Sequence, residues 1–162
     1  MVEYGDFECP FCSRVDTVLD RVMTEFGDKV KLVWHDLPLP MHPHAPLAAR
    51  AAREMLAERG VDAFWRLHDK MLAAQDKLTR EDLDGYATVM HVAPARWKAA
   101  LDGELRTPEL DADARAAGEA GIQGTPAFLI VAGSSAHGYF IEGAQSYWSF
   151  RKAIALALGE GP

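Results

Sequence analysis

The chain has 162 residues, with 17 Lys plus Arg against 24 Asp plus Glu, a formal charge of -7, and 49% hydrophobic and 25% charged residues. Those values describe one domain able to bury a core, and they exclude a disordered chain. An acidic total without a Lys/Arg run lacks the footprint of a nucleic-acid or anionic-membrane binder, and the apolar stretch from Ala127 to Ala132 is far short of the roughly 18 residues of a membrane span.

Met1 leads directly into Val2-Glu3-Tyr4, which reads as a strand feeding a turn. A domain seldom begins inside a central strand, so the expectation is that a targeting signal or another domain precedes this segment in the natural chain. Val15, Val18, Leu19, Val22, Met23 and Phe26 then repeat as one face of a helix stopped by Gly27. Val30 to Trp34 reads as a second strand, running into the proline-rich stretch Leu37 to Pro46. Strand, helix, strand is the pattern of a parallel crossover. From Ala45 to about Ala120 the sequence is helical in character, with breaks at Gly60, Asp76 to Thr79, Pro94 and Thr107-Pro108, giving four or five short helices. Gly124-Thr125-Pro126 opens the strand Ala127 to Val131, a Gly/Ser-rich loop follows, and Tyr139 to Glu142 completes a hairpin. Tyr147, Phe150, Ile154 and Leu158 have the spacing of the buried face of a closing helix. The fold class is α/β, a β-α-β unit and a β-β-α unit separated by a helical insert. No repeat and no linker divides it, so residues 1–162 form one domain, with the α/β core at about 1–42 and 121–162 and the insert at about 43–120.

The two cysteines, Cys9 and Cys12, are separated only by Pro10 and Phe11. A bridge closing so short a loop removes little entropy from the unfolded chain, so the pair suits being made and broken better than stapling a fold. With Cys9 as N-cap, Pro10 is the first helical residue, where its missing N–H costs nothing. Both sulfurs then sit in the first turn, where unpaired N–H groups and the helix dipole favour negative charge and lower the thiol pKa of Cys9. A thiolate attacks disulfides, and a second thiol resolves the mixed disulfide. Cys9 is therefore the exposed exchange cysteine and Cys12 the buried resolving one. Two other readings are an inert pair and a zinc half-site completed by His35, His42 or His44. The histidines otherwise need no special role, His68 and His91 lying on ordinary helical faces.

Cys-Pro-Phe-Cys at a helix start after a strand, together with Gly124-Thr125-Pro126 before the late hairpin, resembles the thioredoxin fold. The long insert narrows the resemblance to the DsbA-like thiol:disulfide oxidoreductases. Val2 to Cys12, Trp34-His35-Asp36-Leu37-Pro38-Leu39 with His42-Pro43, Phe64-Trp65 with His68-Asp69, and Gly143-Ala144-Gln145 are close to the bacterial extracytoplasmic branch of that family. The resemblance runs over essentially the whole chain. It implies a cis-proline at Pro126, with Thr125 pairing an extended substrate peptide, and places Pro10, Phe11, Thr125 and Pro126 in the substrate site. Glu3 matches the family's buried acid, which relays a proton to or from Cys12; read from the residues alone, it is equally a solvated carboxylate at a frayed start. Phe11 departs from the strongest oxidants, which carry a cationic histidine there, so Cys9 is expected to be less acidic than theirs.

The resemblance implies a protein dithiol-disulfide oxidase using the Cys9-Cys12 pair, without metal or other cofactor. Its partners are thiol-containing substrate proteins and a redox protein that resets the pair, with no nucleic acid, and the expected state is a monomer outside the cytoplasm, periplasmic or membrane-tethered. The alternatives are a reductase or isomerase on the same fold, or a non-catalytic redox-sensing domain of a larger membrane protein.

Overall fold

In the computed structural model, which describes residues 1–133 and 138–160, β1 (Val2–Gly5) leads through α1 (Pro10–Phe26) to β2 (Val33–Asp36). The helices α2 (Ala45–Arg59), α3 (Val61–Ala73), α4 (Arg80–Val89), α5 (Pro94–Leu101) and α6 (Thr107–Glu119) follow in succession, and β3 (Ala127–Val131), β4 (Gly138–Glu142) and α7 (Tyr147–Ala157) complete the chain. Residues 134–137 of the Gly/Ser-rich loop expected within the hairpin lie outside the described residues. The strands form one sheet in the order β2-β1-β3-β4, with β1 parallel to β2 and antiparallel to β3, and β3 antiparallel to β4. Glu3 on the inner strand β1 stands opposite Trp34 and Phe128.

One face of α1 builds the core below the sheet. Val15, Leu19, Val22 and Phe26 are buried with Phe128 and Ile130 of β3 and Phe150 and Ile154 of α7, each such side chain stabilising the fold by about 1.5–3 kcal/mol. Phe128 and Phe150 meet edge to face at 4.8 Å. Gly27 ends α1 in the ordinary right-handed conformation at φ -55, so its contribution is room: a Cβ there would lie 2.5 Å from the Met23 carbonyl oxygen. The second core lies inside the helical insert, where Met55, Phe64, Leu67 and Met71 pack with Phe7, Trp34 and both cysteines. Tyr4, Ala117, Ile122 and Ala127 form a smaller third cluster between α6 and the sheet.

Several boundaries differ from the sequence expectation. The second strand begins at Val33 rather than Val30, because β1 starts at Val2 and the ladder pairs Val2 with Val33; Val30 and Leu32 still pack against the α1 core. The breaks expected at Pro94 and Thr107-Pro108 are there, each proline opening the next helix, α5 or α6, since a first-turn proline gives up no intrahelical hydrogen bond. Leu158 lies beyond α7 and is exposed. His91 sits in a left-handed turn after α4 (φ 57) rather than on a helical face.

The insert is tied to the sheet where it leaves and where it returns. Arg53 of α2 reaches Asp36 at the end of β2 and Asp113 of α6. The Asp113 carboxylate also accepts the Asp36 backbone N–H at 2.8 Å and bonds His35 Nδ1 at 2.6 Å.

Candidate redox site

Cys9 is the N-cap of α1 in extended conformation and Pro10 opens the helix. The Cys9 carbonyl accepts the N–H groups of Cys12 (3.0 Å) and Ser13 (3.3 Å), so its side chain lies beside the free amides of the first turn. Both thiols are unpaired. The Cys9 thiol is lowered to a pKa of about 5, above all by a hydrogen bond from the Cys12 thiol; burial opposes this, and Thr125 and the backbone N–H groups of Cys12 and Phe11 add to it. The Cys12 thiol moves the opposite way, pushed well up by burial, by donating to Cys9 and by the charges of Glu3 and Cys9, with only the Asp6 N–H (3.5 Å to Sγ) favouring its thiolate. Two cysteines two residues apart are thus split into an anion and a proton donor. This division of labour follows from their positions along one helical turn.

The expectation of an exposed Cys9 is corrected. Cys9 is 2% exposed and Cys12 is wholly buried, because Phe7, Trp34 and the insert helices close over the loop. The exposed residue of the motif is Phe11, at 48%, with the Arg14 guanidinium 5.1 Å over its ring. Pro10 is exposed beside it. Across the sulfurs, Cys9 Sγ lies 3.4 Å from the Thr125 carbonyl, to which the protonated thiol donates. The Thr125–Pro126 peptide bond is cis, Pro126 is buried, and its carbonyl accepts the Gly143 N–H at 2.8 Å.

Glu3 is buried at 1% exposure rather than solvated, and its Oε2 has no hydrogen-bond partner among the described residues. Burial, reinforced by the nearby Asp16 charge, pushes its carboxyl up to about 8. A carboxyl in that state holds a proton at neutral pH within electrostatic reach of Cys12, which suits it to giving or taking one there.

Three residues with no role in the sequence analysis, Asp6, Glu8 and Gln75, hold the loop in place. Asp6, 2% exposed, accepts the Cys9 N–H at its carbonyl (3.1 Å), and its carboxylate accepts from Glu8 N–H (2.8 Å), Leu39 N–H (2.8 Å) and His42 Nδ1 (2.7 Å). Glu8 accepts the backbone N–H groups of His44 and Ala45 at the start of α2. Gln75, in the turn after α3, donates to the carbonyls of Phe7 (2.9 Å) and Cys9 (2.8 Å). His42 and His35, offered above as zinc ligands, are held by Asp6 and Asp113 instead. His68 lies on a helical face, that of α3, as expected, and its ring is buried in a cage of Phe7, Trp34, Phe64 and Trp65.

A family model described as Thioredoxin matches residues 1–155. The chain belongs to the thioredoxin family. Within it, this thioredoxin-family chain carries the DsbA-like thiol-disulfide oxidoreductase fold. Pseudomonas aeruginosa DsbA2 superposes with a TM-score of 0.77 at 29% identity over 96% of this chain and 86% of that one. BdbD from Bacillus subtilis superposes with a TM-score of 0.80 at 24% identity over 98% and 86%. In sequence the chain is similar to part of the Na(+)/H(+) antiporter NhaA 1 of Salinispora arenicola, 37% identical over 131 residues, and of NhaA from Herminiimonas arsenicoxydans, 36% identical over 130. Each match takes in 80% of this chain and 20% of the relative, so the chain spans about a fifth of the length of these curated relatives. No helix among the described residues is long and apolar enough to cross a membrane.

Proposed function

We propose that the chain is a protein dithiol-disulfide oxidoreductase that donates the Cys9-Cys12 disulfide to thiol-containing proteins outside the cytoplasm. The observation that supports this reading most is the opposed shift of the two thiols, Cys9 down to about 5 and Cys12 well up. A substrate thiolate attacks Cys9, the Cys9-Cys12 bond breaks, and Cys12 leaves as a thiolate that takes a proton, with Glu3 as its source. The second substrate thiolate then displaces Cys9 from the mixed disulfide. Substrate loses two electrons and the cysteine pair gains them. A leaving group with a low pKa departs fastest, so the acidic Cys9 favours passing the disulfide on. Thr125 beside Cys9, with Pro10, Phe11 and Pro126 around it, receives the substrate as an extended strand. The pair itself is the redox group, without metal or further cofactor; a membrane or soluble redox protein reoxidises it, and the domain works as a monomer.

Equilibration against glutathione buffers tests the direction. A potential nearer the strong-oxidant end, about -120 mV, than the thioredoxin end, about -270 mV, is expected. A value at the thioredoxin end makes the chain a reductase.

The alignment with a fifth of the antiporters favours a second reading, in which this is the redox domain of a larger membrane protein. The flanking sequence of the natural gene distinguishes them: transmembrane helices support the second reading, a signal peptide the first, and neither supports a cytosolic reductant.

A further inference from the structure

The motif places an apolar Phe11 between the cysteines, leaving the thiolate of Cys9 without a cation from within the motif. The charges that the loop itself brings are acidic, Asp6 and Glu8 preceding Cys9, while the buried Glu3 behind Cys12 holds its proton. Arg14 of α1 lies over the Phe11 ring, and a second basic side chain, His42, reaches the loop from outside it. It comes from the link between β2 and α2, and its Nδ1 lies 2.7 Å from Asp6 Oδ2. Asp6 is the residue whose backbone N–H reaches Cys12 Sγ and whose carbonyl holds the Cys9 N–H. Asp6 thus joins the His42 ring to the loop that carries both sulfurs, and the His42 side chain is only 18% exposed. The Asp6 carboxylate can only accept, so Nδ1 carries a hydrogen and the titrating nitrogen is Nε2.

We propose that His42 is the positive charge that partners the Cys9 thiolate, a positioning residue delivered from the β2–α2 link and oriented by Asp6, in place of a cation inside the motif. The inference deepens the oxidoreductase reading and rests on it. Burial opposes a charge on His42, but the hydrogen bond and charge of Asp6, followed by the charges of Cys9 and Glu8, outweigh it and hold its pKa above the ordinary value. His44, two residues on, acts on Asp82 of α4 instead. A cation beside Cys9 stabilises the reduced, thiolate form and so makes the disulfide more oxidising.

Linkage supplies a test that needs no substitution. If His42⁺ favours the Cys9 thiolate, the thiolate favours His42⁺ by the same factor, and that factor disappears when the sulfurs are bridged. NMR titration of the His42 ring in the dithiol and disulfide forms of the unmodified protein should show it about threefold or more easier to protonate in the dithiol form. His42→Gln should shift the glutathione equilibrium about threefold or more toward the protein disulfide near pH 6, and the difference should close above the His42 titration. A purely structural effect would persist at every pH. His91→Asn, in the exposed turn after α4, should leave both unchanged. An equal His42 titration in the two redox forms overturns the proposal even if His42→Gln fails to fold. So does an unshifted equilibrium in a folded variant. An unmodified protein that does not exchange with glutathione at all overturns the oxidoreductase reading itself.

Discussion

Glu3→Gln is the substitution whose energetics the structure defines best. The wild-type carboxyl titrates near 4.5 in an unfolded chain and near 8 in the fold. At pH 7 the unfolded state has therefore lost a proton that the folded state retains, and at about 1.4 kcal/mol per pH unit this costs the fold about 3 kcal/mol. The sign is that of a carboxyl raised by burial. The cost is absent below pH 4.5, grows as pH rises through the unfolded value, and stops growing near 8. Glutamine has the same shape and no titration, so it removes the pH-dependent part and keeps only a constant cost for its buried N–H₂ group, on the order of 1–3 kcal/mol. Urea unfolding of both proteins in the disulfide form, where the thiols do not titrate, measures the difference directly. Between pH 4 and 8 the variant should gain on the wild type by about 3–5 kcal/mol. A difference that stays flat with pH would mean that Glu3 is ionised in the fold, and the account of its burial and proton transfer would fall with it. The same variant should slow proton delivery to Cys12 while leaving Cys9 alkylation unchanged.

The reduced form should exceed the disulfide form in stability at pH 7. Cys9 is depressed from 9.0 to about 5, so its contribution is complete above pH 9 and vanishes as pH falls through 5; a reduced-form advantage that survives at pH 4 in urea titrations would assign it to another cause. Gly5→Ala should destabilise the fold by about 1–3 kcal/mol, because the new Cβ would lie 2.1 Å from the Trp34 ring, which its indole N–H fixes to Asp36 at 2.7 Å. Thermal unfolding reads this, and an unchanged midpoint would show that the Trp34 ring can move. Gln75→Ala leaves the Phe7 and Cys9 carbonyls without their side-chain donor and should cost about 1–3 kcal/mol. Faster amide exchange at Cys9 and Cys12 than in the wild type should accompany it, and unchanged exchange would show that the loop does not depend on the clamp.

The parts of this molecule legible in its sequence are those set by local chemistry. The α1 face from Val15 to Phe26 repeats with the helical period and is buried as that period demands. Cys9-Pro10 places the cap and first turn because a proline there loses no hydrogen bond. The strand limits of β2 depend on which β1 residue Val33 meets, a register that the Val30 to Trp34 run does not carry. The supports of the redox loop were illegible for the same reason. Asp6 meets His42 across 36 residues and Gln75 meets Cys9 across 66, and no local pattern announces either pairing. Burial of Cys9 is not legible in the sequence because its lid comes from the insert, whose apolar residues read only as a helical core.

The grip of Arg53 on Asp36 and Asp113 has a consequence for how the polypeptide can be divided. The helical lobe departs and returns at one knot, so the chain running through its far side closes a loop whose ends are held independently of its middle. A break in the link between α5 and α6, between the half-buried Gly103 and the exposed Glu104, leaves that knot with part of it in each piece, Asp36 and Arg53 in one and Asp113 in the other. Fragments 1–103 and 104–162, made separately, should reassemble into a folded split protein, with Cys9 on one piece and Thr125 on the other. Disulfide exchange would then report that two chains had met.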